Sequence, residues 1–162
     1  MEKPDIPDAE VQSFAFCVGK TIQNFGTIEY LVNELIAILT ADSVIASHLV
    51  KQIISKRLDV LEPLANRRRA ELDKNGFRLN GLFSSARTAF RDRNKIAHNP
   101  FVIRLAHTKD GAKQTAGIHV IRYHEEGHNE EWIEKAQLEA ITATSRDLVE
   151  RFNTLLGLCK AS

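Results

Sequence analysis

The chain has 162 residues, 43% of them hydrophobic and 27% charged, with 22 Lys and Arg against 21 Asp and Glu. That suffices for one domain (1–162) with its own core, and no apolar run approaches the length of a membrane span. A net charge of +1 argues against broad, tight, nonspecific RNA binding and favours a structured substrate or activation by a partner.

The charge is unevenly spread. Residues 1–50 carry 2 basic and 7 acidic groups, residues 51–104 carry 13 and 5, and residues 105–162 carry 7 and 9. The basic middle, which includes Arg67, Arg68 and Arg69, reads either as a local polyanion-binding face or as solvated helix faces offset by acidic neighbours. Cys17 and Cys159 lie near opposite ends in apolar patterns. With no disulfide framework and no signal peptide in view, they suggest reduced thiols of a cytoplasmic protein. No CxxC or HExxH spacing is present, so neither a metal nor another cofactor is expected.

Pro4 and Pro7 make residues 1–8 a ragged lead. From Asp8 to Thr40, Val11, Phe14, Val18, Phe25, Ile28, Val32, Leu35 and Leu39 recur at three-four spacing, which predicts one long helix. Gly19 and Gly26 within it mark a bend or a close helix contact. Asp42 or Ser43 is a candidate N-cap for a short helix through Ile53 and Ile54. A third helix runs from near Lys56, or from Leu61 if Pro63 falls in its first turn, through Leu72. It stops at "KNG", where Gly76 can take a left-handed cap. The fourth buries Leu79, Leu82, Phe83, Ala86, Phe90 and Ala97 and ends near His98, because Pro100 disfavours helical geometry at Asn99.

The period then changes. "FVIRLAH" and "GIHVIRYH" alternate around an Asp-Gly turn, predicting a β-hairpin over 101–124. An acidic linker, "EEGHNEEW", leads to a last helix with Leu138, Ile141, Leu148, Phe152, Leu155 and Cys159 on one stripe. The fold class expected is all-α, an antiparallel bundle of about five helices with the hairpin inserted before the last.

The end of the fourth helix, "RDRNKIAHNPF", carries more polar equipment than a buried helix needs. Counted from Phe83 at roughly 100° per residue, Arg93 falls near about 280°, Asn94 near about 20° and His98 near about 60°, so the first two straddle the apolar face. An arginine there needs a carboxylate, a phosphate or a water-filled cleft. Glu29, on the apolar side of the first helix, is the carboxylate expected to pair with and orient Arg93. A purely structural ion pair explains the same two residues. His98 feels the negative end of the helix dipole, which favours the imidazolium, while Arg91 and Arg93 oppose it. A histidine so balanced can both accept and donate a proton. Beside a fixed guanidinium it meets the needs of phosphodiester cleavage without metal. A histidine that merely caps a helix end is the plainer account.

"RNKIAH" resembles the signature of the HEPN superfamily, in which an arginine, commonly followed by a polar residue, is separated from a histidine by four to six intervening residues. Arg93, Asn94 and His98 occupy those places, and "FGTIEYLVNELIAIL" is similar to the opening helix of RNxxAH-type members. The resemblance implies a metal-independent endoribonuclease acting as a toxin or in phage defence. It implies a homodimer with two motifs facing one cleft, an RNA substrate, 2′,3′-cyclic phosphate ends, no membrane and a possible antitoxin protein. Carried over, His98 transfers the proton, Arg93 clamps the phosphate and Asn94 positions. Arg91, with six residues between it and His98, is the alternative phosphate contact. Arg87, Lys95 and Arg104 are the further RNA-binding candidates. The superfamily also includes non-catalytic modules that bind RNA, a nucleotide or a protein, in which the Arg–Asn–His set is structural.

Overall fold

The computed structural model describes residues 8–97, 101–107, 114–124, 127–134 and 135–161. The chain is mostly helical, with a small antiparallel sheet. In order, the described elements are α1 (Asp8–Thr40), α2 (Ser43–Val50), α3 (Ile54–Arg67), α4 (Arg69–Lys74), α5 (Leu82–Ala97), β1 (Phe101–His107), β2 (Gln114–His124), β3 (Gly127–Glu134) and α6 (Lys135–Lys160).

The long first helix forms as its apolar spacing requires. Phe14, Phe25, Ile28, Val32 and Leu35 are buried, whereas Val11 is exposed. Among the described residues neither Gly19 nor Gly26 marks a close contact, since a Cβ at either would meet none of them within 4 Å. The helix ends where Ala41 turns to φ 51°, a left-handed conformation that strains any residue with a Cβ. Asp42 then caps α2, its Oδ1 accepting from the backbone N–H of Val44 at 2.8 Å and of Ile45 at 3.0 Å.

The expected third helix is divided. α3 begins at Ile54, so Pro63 lies well inside it. The ring removes the hydrogen bond to the Asp59 carbonyl, and the position is exposed, where water can serve the freed group. The backbone breaks at Arg68 (φ −96°, ψ 8°) before α4. That short helix closes with the N–H of Phe77 donating to Leu72 O at 2.9 Å and that of Gly76 to Asp73 O at 3.1 Å. Gly76 takes φ 76°. This is the Schellman arrangement, sealed by Leu72 and Phe77, both buried.

The sheet corrects the linker reading. Residues 127–134 form β3, paired antiparallel to β2 with Ile118 opposite Ile133 and His119 opposite Trp132. β1 lies on the other side of β2, with Ile103 opposite Ile118. The acidic composition of "EEGHNEEW" disguised a strand whose alternate residue Ile133 is buried.

The chain divides into two compact units, to each of which α1, α5 and α6 contribute a segment. The first comprises residues 1–23 and 91–144. Its core is Phe14, Ile96, Ile118, Val120, Ile133 and Leu138, flanked by Cys17, Val18, Ile103 and Ile141. Thr21 and Thr142 share a 2.8 Å hydroxyl hydrogen bond. At Gly117 the opposite sheet face carries Trp132, whose ring lies where a Cβ would be.

The second unit comprises residues 24–90 and 145–162 and is helical. Phe25 and Phe90 pack with ring centroids 4.8 Å apart, and Phe83 meets Phe152 edge-on at 6.1 Å. Tilted and edge-on contacts are the favoured aromatic geometries. Asn24 Nδ2 donates to Ser145 Oγ at 2.9 Å, so these buried polar groups satisfy one another.

Candidate functional site

The buried residues of α5 are Leu82, Phe83, Ala86, Ala89, Phe90 and Ile96. Counted again from Phe83, their directions average to about 290°. Ala89 and Ile96, which lie outside the predicted stripe, move its centre away from Asn94. With the stripe corrected, Arg93 lies at its middle and is half-buried, while Asn94 is off it and exposed. Arg93 Nη1 donates to Asn94 Oδ1 at 3.2 Å, which joins the side chains of the two leading motif residues. Arg91, two residues before Arg93, is exposed. His98, the residue expected to move the proton, lies outside the described residues, which resume at Phe101.

Glu29, expected to orient Arg93, accepts from Arg57 Nη2 at 3.0 Å. Arg57 Nη1 donates to Asn33 Oδ1 at 2.9 Å, and the arginine is 7% exposed. Sequence reasoning missed it, although the signal was available: Arg57 stands with Ile54, Leu58, Leu61 and Ala65 on the three-four stripe of α3.

The three expected RNA contacts fare differently. Arg87 is held by Asp59 at 2.9 Å and Glu62 at 2.8 Å. Burial works against its charge, but those two carboxylates outweigh it and hold its pKa above the ordinary arginine value. Lys95 Nζ lies 3.0 Å from Glu131 Oε1 and 3.6 Å from Asp92 Oδ1. The backbone of Arg104 sits opposite Gly117 in the β1–β2 ladder. Two of the three cations therefore already face carboxylates, which lowers their attraction for a phosphate.

Glu131 was also missed, because its strand had been read as linker. It belongs to a cleft of about 280 Å³ that Asp92, Lys95, Ile133, Gln137 and Ile141 help to line. Both cysteines are free thiols, Cys159 buried and Cys17 half-buried. Among the described residues no group of His, Cys, Asp and Glu is arranged to hold a metal ion, and no helix is long and apolar enough to cross a membrane. No family model, no curated protein and no solved structure matches this chain.

Proposed function

We propose that the protein is a metal-independent endoribonuclease of HEPN type, an antiparallel helical bundle that works as a homodimer. In this reading His98 moves the proton of the attacking 2′-hydroxyl. Arg93 stabilises the charge that builds on the phosphate oxygens. Asn94 holds the guanidinium in place, and Arg91 is the second cation within reach of the phosphate. The observation that carries the reading is the 3.2 Å bond from Arg93 to Asn94 in the last turns of a helix that runs to Ala97, directly before His98. An arginine at the middle of a burying stripe, yet half-open, suits a group that must meet a phosphate. A role in toxicity or phage defence, and a protein antitoxin, belong to the same proposal.

The alternative is a non-catalytic module in which Arg93, Asn94 and His98 form a structural polar network. The carboxylates already facing Lys95 favour it. Cleavage of a mixed RNA pool in EDTA separates the two, with wild type beside His98→Ala and Arg93→Gln and solution size measured for each. The ribonuclease reading expects 2′,3′-cyclic ends from wild type and a loss of about a hundredfold or more in folded, dimeric His98→Ala. No cleavage by wild type, with a variant that unfolds or dissociates, gives the decision to the structural network.

A further inference from the structure

Among the described residues eight large hydrophobic side chains are exposed, and four of them fall within the ten residues from Val44 to Ile53. Apolar residues scattered singly over a surface need no explanation, but a cluster does. Val44 is 74% exposed, Ile45 48%, Val50 44% and Ile53 68%. The first three belong to α2, in which Ala46 is the only buried residue, and Ile53 is the N-cap of α3. The N–H of Lys51 donates to His48 O at 3.3 Å and that of Gln52 to Leu49 O at 2.9 Å, so the turn into α3 is tight. A helix this short depends on packing rather than propensity, and Ala46 alone supplies little of it. The charges nearby have one sign. From Ser43 to Leu58 the sequence has no carboxylate, while Lys51 and Lys56 are both exposed. Asp42, just before, turns its Oδ1 to the N–H groups of Val44 and Ile45, where the helix dipole offsets part of its charge.

We propose that the segment from Val44 to Lys56 docks on an anionic lipid surface, as a weak and reversible peripheral contact. Three observations choose this occupant. The first is size: a stable protein interface takes about 20–30 residues a side, and here the exposed aliphatics stop within ten. The second is composition. Protein interfaces favour Trp, Tyr and Arg at their centres and are depleted of lysine, whereas this segment has no aromatic residue and its exposed cations are lysines. The third is charge. A two-fold contact between copies would bring together two carboxylate-free patches, each carrying Lys51 and Lys56, and like charges repel. A negatively charged bilayer surface attracts both lysines instead. A lysine stem can lie along apolar surface with its ammonium among the headgroups, and aliphatic side chains enter the acyl boundary. Two lysines and four aliphatic side chains give reversible attachment, not a permanent anchor. The contact is peripheral, since no described helix is long and apolar enough to cross a membrane. It is independent of the ribonuclease reading, and it departs from the family resemblance, which implies no membrane.

The test is co-sedimentation of the whole chain at low salt with two kinds of vesicle, phosphatidylcholine alone and phosphatidylcholine mixed equally with phosphatidylglycerol. Hydrogen exchange across residues 43–54 reports where the chain touches them. The mixed vesicles should bind the chain and slow exchange in that segment, and the neutral ones should bind it less. Replacing Val44 and Ile53 together by serine should weaken binding about tenfold or more. Lys51→Gln with Lys56→Gln should also weaken it about tenfold or more. Both double variants should keep the wild-type melting temperature, because all four side chains are exposed. No binding to the mixed vesicles overturns the proposal. So does binding that survives the serine variant, which would be adsorption by charge alone. Slowed exchange that grows with protein concentration in the absence of lipid would make the segment a contact between copies. Protection by a helical peptide of leucine and glutamate, with none from vesicles, would make it a protein-docking face. Either result removes the lipid assignment.

Discussion

Arg57 in the helical unit and Lys95 in the sheet-bearing unit are both cations facing carboxylates, yet their surroundings differ. The Arg57 side chain is 8% exposed, pinned by Glu29 and Asn33. Lys95 is 33% exposed and meets Asp92 and Glu131 at the edge of a cleft. A buried pair is costly to rearrange, because losing one partner strands the other's charge away from water. A half-exposed pair exchanges its partner for water or ligand at small cost. The contrast assigns different work to the two units. In residues 24–90 and 145–162, cations and aromatic rings hold helices together. In residues 1–23 and 91–144, the Lys95 pairs are a third exposed and exchange readily with water.

The largest expected effect is in the helical unit. Phe152, 0% exposed and edge-on to Phe83, should cost about 3–5 kcal/mol when replaced by alanine. The chain's single tryptophan, Trp132, belongs to the other unit, so denaturation followed by its fluorescence and by far-ultraviolet circular dichroism reads both. Coincident transitions in Phe152→Ala would mean that the two units unfold as one. Separated transitions would sharpen the division between them.

Next comes the sheet. A Cβ at Gly117 would fall on the Trp132 ring, so Gly117→Ala should destabilise by about 1–3 kcal/mol. The tryptophan spectrum of the native state should change with it. An unaltered spectrum and an unaltered midpoint would show that the ring moves aside freely.

Smaller and opposite in sign, Ala41→Gly should stabilise by about 0.5–1 kcal/mol, since glycine takes φ 51° without strain but loses more freedom on folding. A lowered denaturation midpoint would contradict this account of how α1 ends.

The smallest effect is one of pH. Burial pushes the Cys159 thiol above its ordinary value of 9.0, with Glu71 adding to the rise and Arg68 opposing it. The unfolded chain therefore loses this proton first as pH rises. The stabilisation is complete below about pH 9 and is lost as pH climbs toward the raised folded value. Stability of wild type should fall more steeply above pH 9 than that of Cys159→Ala, compared by urea denaturation at each pH. Equal slopes would show that burial does not hold this proton.

Much of the helical architecture was legible in particular residues. The spacing of Phe14, Phe25, Ile28, Val32 and Leu35 required one long helix, and a local side chain or glycine was enough for the Asp42 and Gly76 caps. Such features are written in neighbouring residues, because helical periodicity and capping chemistry act over one or two turns. The strand at 127–134 was not legible. Its charges suit a solvated linker as well as a strand, and Gly117, its close neighbour at Trp132, lies far away in sequence.

The candidate site divides in the same way. That Arg93 and Asn94 are adjacent near a helix end follows from chain connectivity and the Asn-Pro that follows. Which carboxylate meets which cation does not. Glu29 took Arg57, and Lys95 took Glu131, 36 residues on. A charge selects its partner by distance and burial in the folded chain, and a linear order of residues carries the sign of each charge but not the distance between them.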